Sequence, residues 1–195
     1  MVILRKLGLS AVAALVLGTT GQANEYQGYE IPPYNVVATY GEIEVRQYEQ
    51  HLMAKVWVSG DQRGAINRGF RVLAGYIFGG NATGEKIAMT APVAQTQDGG
   101  NWEVSFMVPS KYAMSDLPKA DSNAIRFEEI KAGRQVVLHF SGRAGTQRLQ
   151  DKTQELRNLA AAQGLSITGD PHYYFYDGPF TLPRNRRNEV AFSLR

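Results

Sequence analysis

Cysteine is absent from this chain of 195 residues, so disulfides, thiolate metal sites and a cysteine nucleophile are all excluded. Histidine is scarce: the three are His51, His139 and His172, and no two have the spacing that would place both imidazoles on one metal ion. No glycine-rich loop opens a helix and no nucleophile elbow is present; the glycine-rich residues 79–84 follow a helical stretch, where no N-terminal amides wait for phosphate. Charge of one sign is missing as well. The chain has 21 basic and 18 acidic residues for a net charge of +3, which leaves no strongly basic face for nucleic acid. Long apolar runs are limited to residues 7–18, well short of the roughly 20 residues that a spanning helix needs.

That short run has a purpose of its own. Arg5 and Lys6 precede it and the small residues Gly21 and Ala23 follow, the form of an export signal cleaved before Asn24. The expectation is a signal peptide over residues 1–23 and a periplasmic or secreted protein with no stable membrane span once the signal is removed. Without a cysteine after the run, it is not a lipoprotein signal. Cleavage would remove Arg5 and Lys6 and leave 19 basic against 18 acidic residues.

The most informative stretch is 43–60, IEVRQYEQHLMAKVWVSG, which is echoed at 125–142 by IRFEEIKAGRQVVLHFSG. Ile43, Val45, Tyr48, Ala54, Val56 and Val58 fall in phase with Ile125, Phe127, Ile130, Val136, Leu138 and Phe140. Each copy alternates apolar and polar residues about a short polar interruption, the pattern of two half-buried antiparallel strands joined by a tight turn. A helical period follows each Ser-Gly: Ile66, Phe70, Leu73 and Ile77 in the first copy, then Leu149, Thr153, Leu156 and Ala160 in the second. Strand-rich stretches at 87–93 and 102–108, then at 173–177 and 189–194, complete a β-β-α-β-β unit used twice. The expected fold is α+β, an internal repeat closing into a distorted antiparallel β-barrel of two pseudo-symmetric halves with two main helices. A ligand-binding seam is expected where the halves meet.

Residues 24–40 are rich in tyrosine and carry Pro32-Pro33, which reads as an extended N-terminal arm ending in an edge strand over 35–40. The domain proper then spans 41–195. Gly69 and Gly75 inside the first helix each cost about 1 kcal/mol in propensity, so either the facing sheet or a flat ligand should approach there. Arg63, Asn67, Arg68 and Arg71 lie off its apolar stripe, where they form a solvated basic face or a pair of guanidinium groups at a cleft mouth. Glu189, close to Arg184, Arg186 and Arg187, is read as a buried ion pair pinning the last strand, with a catalytic carboxylate as the alternative. His51 and His172 are expected in solvent, and His139 as a hydrogen-bonded structural residue.

Four motifs in order, Ile87-Ala-Met-Thr-Ala-Pro-Val93 after Gly79-Gly80-Asn81, Phe106-Met-Val-Pro-Ser110, Tyr176-Asp-Gly-Pro179 and Arg186-Arg-Asn-Glu-Val190, resemble the SOUL haem-binding protein family from about Tyr40 to the C-terminus. The resemblance implies the same barrel of two β-β-α-β-β halves and a distant fold relationship to the effector-binding domains of AraC-type regulators. It also implies haem or another tetrapyrrole in an apolar cleft between the first helix and the loop before the last strand. Carried onto this chain, the candidate cofactor-binding residues are Arg68, Arg71 and Tyr76 on the helix and Phe180 and Leu182 in the loop. The position of the axial histidine proposed in some members holds Gln47, so no metal ligand and no catalytic residue is carried over. The resulting expectation is a non-enzymatic binding protein for a small hydrophobic or amphipathic ligand, haem first, without nucleic acid as a partner. A non-haem carrier or effector-binding module is the alternative, and a hydrolase built on Glu189 a more distant one.

Overall fold

The computed structural model describes residues 23–195, so the expected signal peptide, apart from Ala23, lies outside the described residues. Two strands, β1 (Ala23–Tyr26) and β2 (Tyr29–Tyr40), lead into β3 (Ile43–Tyr48), β4 (His51–Val58), α1 (Gln62–Ile77), β5 (Val93–Asp98) and β6 (Asn101–Met107). The same order then recurs as β7 (Arg126–Ile130), β8 (Gly133–Phe140), α2 (Thr146–Ala162), β9 (Ile167–Phe175) and β10 (Asn188–Leu194). The strands form one antiparallel sheet in the order β1-β2-β3-β8-β10-β9-β5-β6-β4-β7.

Chain connectivity forces this sheet to curl. β3 and β4 are joined through Glu49 and Gln50 alone, yet stand six strand positions apart, and β7 and β8 repeat the arrangement. Six strand spacings in a flat sheet come to roughly 29 Å. A link of three peptide units reaches only about 11 Å. The strand ends meet only if the sheet bends around, giving the α+β fold with a distorted barrel, left open because β1 and β7 do not pair with each other. The tight turns expected from sequence are present, but they join strands of opposite halves that do not hydrogen-bond to one another.

The register is the same in both halves. Glu44↔Val137 and Tyr48↔Gly133 across β3 and β8 have their counterparts in Arg126↔Lys55 and Ile130↔His51 across β7 and β4. Trp57↔Glu103 likewise matches His139↔Glu189, so Glu103 and Glu189 occupy equivalent places. An approximate dyad therefore runs through the central β5/β9 pair, where Ala94 faces Tyr174 and Thr96 faces His172.

Both helices cover the convex side. Under α2, Leu149, Leu156 and Ala160 pack on Ile43, Leu138 and Phe192. Under α1, Leu73, Tyr76 and Ile77 pack on Val56, Val104 and Phe106. Of the expected α1 stripe, Leu73 and Ile77 are buried and Ile66 packs against the same core, but Phe70 is exposed and Ala65 and Gly69 are buried instead. Gly69 supplies the reason, since a Cβ there would lie 2.6 Å from Val104 Cβ, and the helix sits directly on β6. It is the sheet that approaches at Gly69, whereas a Cβ at Gly75 meets nothing within 4 Å. Opposite signs follow for two similar substitutions. Gly75→Ala should stabilise by up to about 1 kcal/mol through helix propensity. Gly69→Ala should destabilise, because overpacking of about 1–3 kcal/mol outweighs the same gain. Urea unfolding of the two variants checks both.

Two expected strands differ. Only Val93 of the stretch 87–93 enters β5; the residues before it run irregularly, held by Thr90 Oγ1 donating to the Met107 carbonyl at 2.7 Å and the Ile87 amide to the Ile77 carbonyl at 2.9 Å. The N-terminal arm is more ordered than expected: β2 is twelve residues long, and Ile31 and Tyr34 join a small core with Tyr48, Ala91 and Tyr176. Pro32 and Pro33 are tolerated within it, and its register shifts against β1 between Glu30 and Tyr34 and against β3 between Val36 and Ala38.

Candidate functional site

Alternation along the strands sends every second side chain to the concave side of the curled sheet, away from the helices. There the two halves enclose a cavity of about 190 Å³. Its wall is apolar where Met53, Met107, Ala94 and Ile130 meet the ring of Tyr174. Thr96 and His172, paired across the dyad, share a hydrogen bond of 2.7 Å between Oγ1 and Nδ1. The His172 ring lies parallel to that of Tyr174 with centroids 6.2 Å apart. Burial pushes the His172 imidazole down to about 4, with the Lys55 charge adding to the effect, so it is neutral at ordinary pH. Tyr174 closes its own polar end by donating to Gln135 Oε1 at 2.9 Å.

Charge enters this cavity on β4 and β6. Lys55 reaches Glu103 at 3.3 Å and Glu128 at 2.8 Å. Burial raises the Glu103 carboxyl above its ordinary range, and Lys55 only partly opposes it. The equivalent carboxylate in the other half is treated differently. Glu189 is fully buried and gripped by Arg46 through two bonds, Nη1 to Oε2 at 2.9 Å and Nη2 to Oε1 at 3.0 Å. Arg187 adds bonds from Nε at 2.9 Å and Nη2 at 2.6 Å, and Tyr176 donates its hydroxyl at 3.0 Å. Burial alone would raise the Glu189 carboxyl, but the two guanidinium groups outweigh it and hold the pKa below its ordinary value. The cations are sheathed in aromatic rings: Arg46 lies 4.5 Å from the Tyr34 centroid and Arg187 4.1 Å from that of Tyr176.

With every lone pair engaged and no solvent contact, Glu189 is a structural anion rather than a base in waiting. Its partner Arg46, from β3, was not among the arginines that sequence proximity offered; Arg184 and Arg186 take no part, and Arg186 instead donates to the carbonyls of Thr181 and Pro179.

The residues expected to bind cofactor lie outside the concave cavity. Arg68 and Arg71 are exposed on α1, and Arg68 donates Nη2 to the Ser59 carbonyl at 2.6 Å. Tyr76 is buried, its hydroxyl given to the Pro118 carbonyl at 3.0 Å, and burial pushes it up to about 12. Phe180 and Leu182 stand out in solvent, 99% and 55% exposed. None of the five lines the concave cavity. Trp57 does not line the cavity; it is exposed and donates Nε1 to Asp98 at 2.7 Å.

What sequence reasoning placed elsewhere is the histidines. His172 belongs to the cavity rather than to solvent; His51 also lines it, its Nδ1–H donating to the Glu49 carbonyl at 2.8 Å, with burial lowering its pKa. His139 is exposed on β8, on the face opposite Leu138 and Phe140. The cue was available: His172 sits two residues before Tyr174 in a period-two strand, so both face the same way. Asn81 of the glycine-rich turn is structural, its amide bridging the carbonyls of Tyr76 and Glu85 at 3.1 and 2.8 Å. Among the described residues no group of three His, Asp or Glu is arranged to hold a metal ion, and no helix is long and apolar enough to cross a membrane.

Comparison with known proteins bears on this architecture. A solved structure of an uncharacterized conserved protein from Listeria innocua superposes with a TM-score of 0.64 at 13% identity, covering 81% of this chain and 94% of that one, a likeness of fold. Heme-binding protein 2 of Mus musculus is 28% identical over 182 residues, 87% of this chain and 88% of the mouse protein. The Homo sapiens protein of the same name is 29% identical over 179 residues, covering 87% and 85%. The family model described as SOUL heme-binding protein matches residues 29–193, nearly all of the described chain, and this protein therefore belongs to the SOUL haem-binding family.

Proposed function

We propose that this protein binds haem, a related tetrapyrrole or another hydrophobic ligand, as a carrier or sensor and not as an enzyme, after export to the periplasm or the medium. The observation that carries the reading is the family match over residues 29–193. The internal likeness of the two halves fits a duplicated unit whose join supplies a binding surface. Haem does not fit the concave cavity: at about 190 Å³ it is smaller than the roughly 300 Å³ at which drug-sized sites begin. The groups free to meet an apolar macrocycle are the exposed Phe180 and Leu182, and those free to meet its propionates are Arg68 and Arg71. Tyr76, already committed to Pro118, would support the helix from beneath. Bound haem would supply its own light absorption and redox chemistry; the chain's part is apolar contact and charge-assisted hydrogen bonding.

Hemin titration of the purified protein should give a saturable Soret shift at micromolar protein. Phe180→Ser with Leu182→Ser, and Arg68→Ala with Arg71→Ala, should each weaken it by about tenfold. No shift, or a shift untouched by either pair, removes the ligand or the site.

A second reading is favoured by the cavity itself: a non-haem carrier or effector-binding module holding a smaller molecule between the halves. A hydrolase is disfavoured by the closure of Glu189.

A further inference from the structure

The concave cavity has basic groups that its own residues leave unused. Lys55 is already shared between Glu103 and Glu128. His51 pairs with Ile130 four residues before Lys55 on β4, roughly 13 Å along the strand. At that end the turn linking β7 to β8 brings Lys131 and Arg134 to the lining. Neither forms an ion pair among the described residues. Arg134 spends only Nε, donating to Gln47 Oε1 at 3.1 Å, so its terminal nitrogens remain available for a forked contact. Between the two ends the wall is thioether, methyl and aromatic, with the flat face of Tyr174 backed by the parallel His172 ring. Polarisable sulfur beside an aromatic face suits a planar apolar body. An interior of about 190 Å³ limits that body to one or two rings.

We propose that this cavity binds a small planar carboxylate, an aromatic or conjugated acid. Its ring lies against Tyr174, Met53 and Met107, and its carboxylate meets Lys131 and Arg134. The Thr96, Ser105 and Lys55 end accepts a polar substituent on the distal edge of the ring. This assignment rests on the non-haem reading of the cavity and does not depend on haem at α1.

The test uses three probes of one shape in isothermal titration: 2-naphthoate, the neutral 2-naphthamide and the cationic 2-naphthylmethylammonium. Naphthoate should bind at least about tenfold more tightly than either of the others, the margin of a charge-assisted forked contact. Lys131→Ala with Arg134→Ala should erase that margin while leaving naphthamide unchanged; both side chains are exposed, so the variant folds. Met53→Trp, which fills the wall, should abolish all binding. Equal affinity for the ammonium, or naphthoate binding unaffected by the double substitution, overturns the assignment. Hemin titration alongside separates the readings: a Soret response without naphthoate binding overturns this inference alone, and naphthoate binding without a Soret response supports it and removes haem.

Discussion

Glu189→Ala should lower the unfolding free energy by about 3–5 kcal/mol, the usual cost of breaking a buried ion pair from one side. The loss comes less from the attraction removed than from what is left. Arg46 is 3% exposed and cannot reach water, so its guanidinium would stay charged in a wall of tyrosines with only Glu44, at 2.7 Å, to face it. Arg187, 20% exposed at the side chain, can partly turn out, and the Tyr176 hydroxyl loses its acceptor. Removing both partners together should therefore hurt less than removing one. Arg46→Met with Glu189→Leu is expected to recover about half of the single-site loss. Urea denaturation of the three forms, with unchanged slope, measures this. A Glu189→Ala loss under about 1 kcal/mol would show that the cluster is not what ties β3 to β10.

The comparison with Glu103 gives that prediction its functional meaning. Both carboxylates sit at the same place in their halves, opposite Trp57 and His139. One is sealed by two arginines and the tyrosines of the N-terminal arm; the other shares a single lysine and opens onto the cavity. The second half thus spends its charges on holding the barrel shut, and the first keeps them at a surface a ligand can reach.

How much of this was legible in sequence follows from which interactions are local. Phase between residues 43–60 and 125–142 fixed the strands and their equivalence, because alternation is a property of neighbours in the chain. Pairing is not. Nothing local distinguishes a turn that closes a hairpin from one that passes a strand to the opposite half, and so β3 and β4 looked like partners. Phe70 stands in the expected α1 stripe where Gly69 is the buried residue, because glycine carries no hydrophobic weight, although its missing Cβ is what lets the helix reach Val104. Arg46 was overlooked as the partner of Glu189 since 143 residues separate them. The polar lining of the cavity was hidden for a related reason. His172 and Lys55 look like solvated residues on alternating strands, and only the curl of the sheet turns that face inwards.

Stability should fall as the pH is lowered from 7 to 5, by about 2 kcal/mol, and His172→Gln should remove most of the fall. The imidazole has a folded pKa of about 4, against about 6.5 in an unfolded chain. Between those values the unfolded state takes up the proton and the folded state does not. The contribution is thus fully present above pH 6.5 and is lost as the pH drops towards 4, at about 1.4 kcal/mol per pH unit. His51, whose pKa is also lowered by burial, acts in the same direction, so His51→Gln has to be measured beside it. Glu189, also depressed, acts only at lower pH, whereas Glu103, whose carboxyl burial raises, takes up its proton in the folded state first and opposes the histidines as the pH falls, so the difference in slope between wild type and His172→Gln is what reports His172. Glutamine at position 172 can keep the hydrogen bond to Thr96 without a proton to lose, which separates titration from packing. Urea unfolding at pH 7, 6 and 5 gives the slopes. If wild type and His172→Gln decline in parallel, the His172 ring is hydrated in solution, and the cavity wall it forms with Tyr174 is open to water rather than closed.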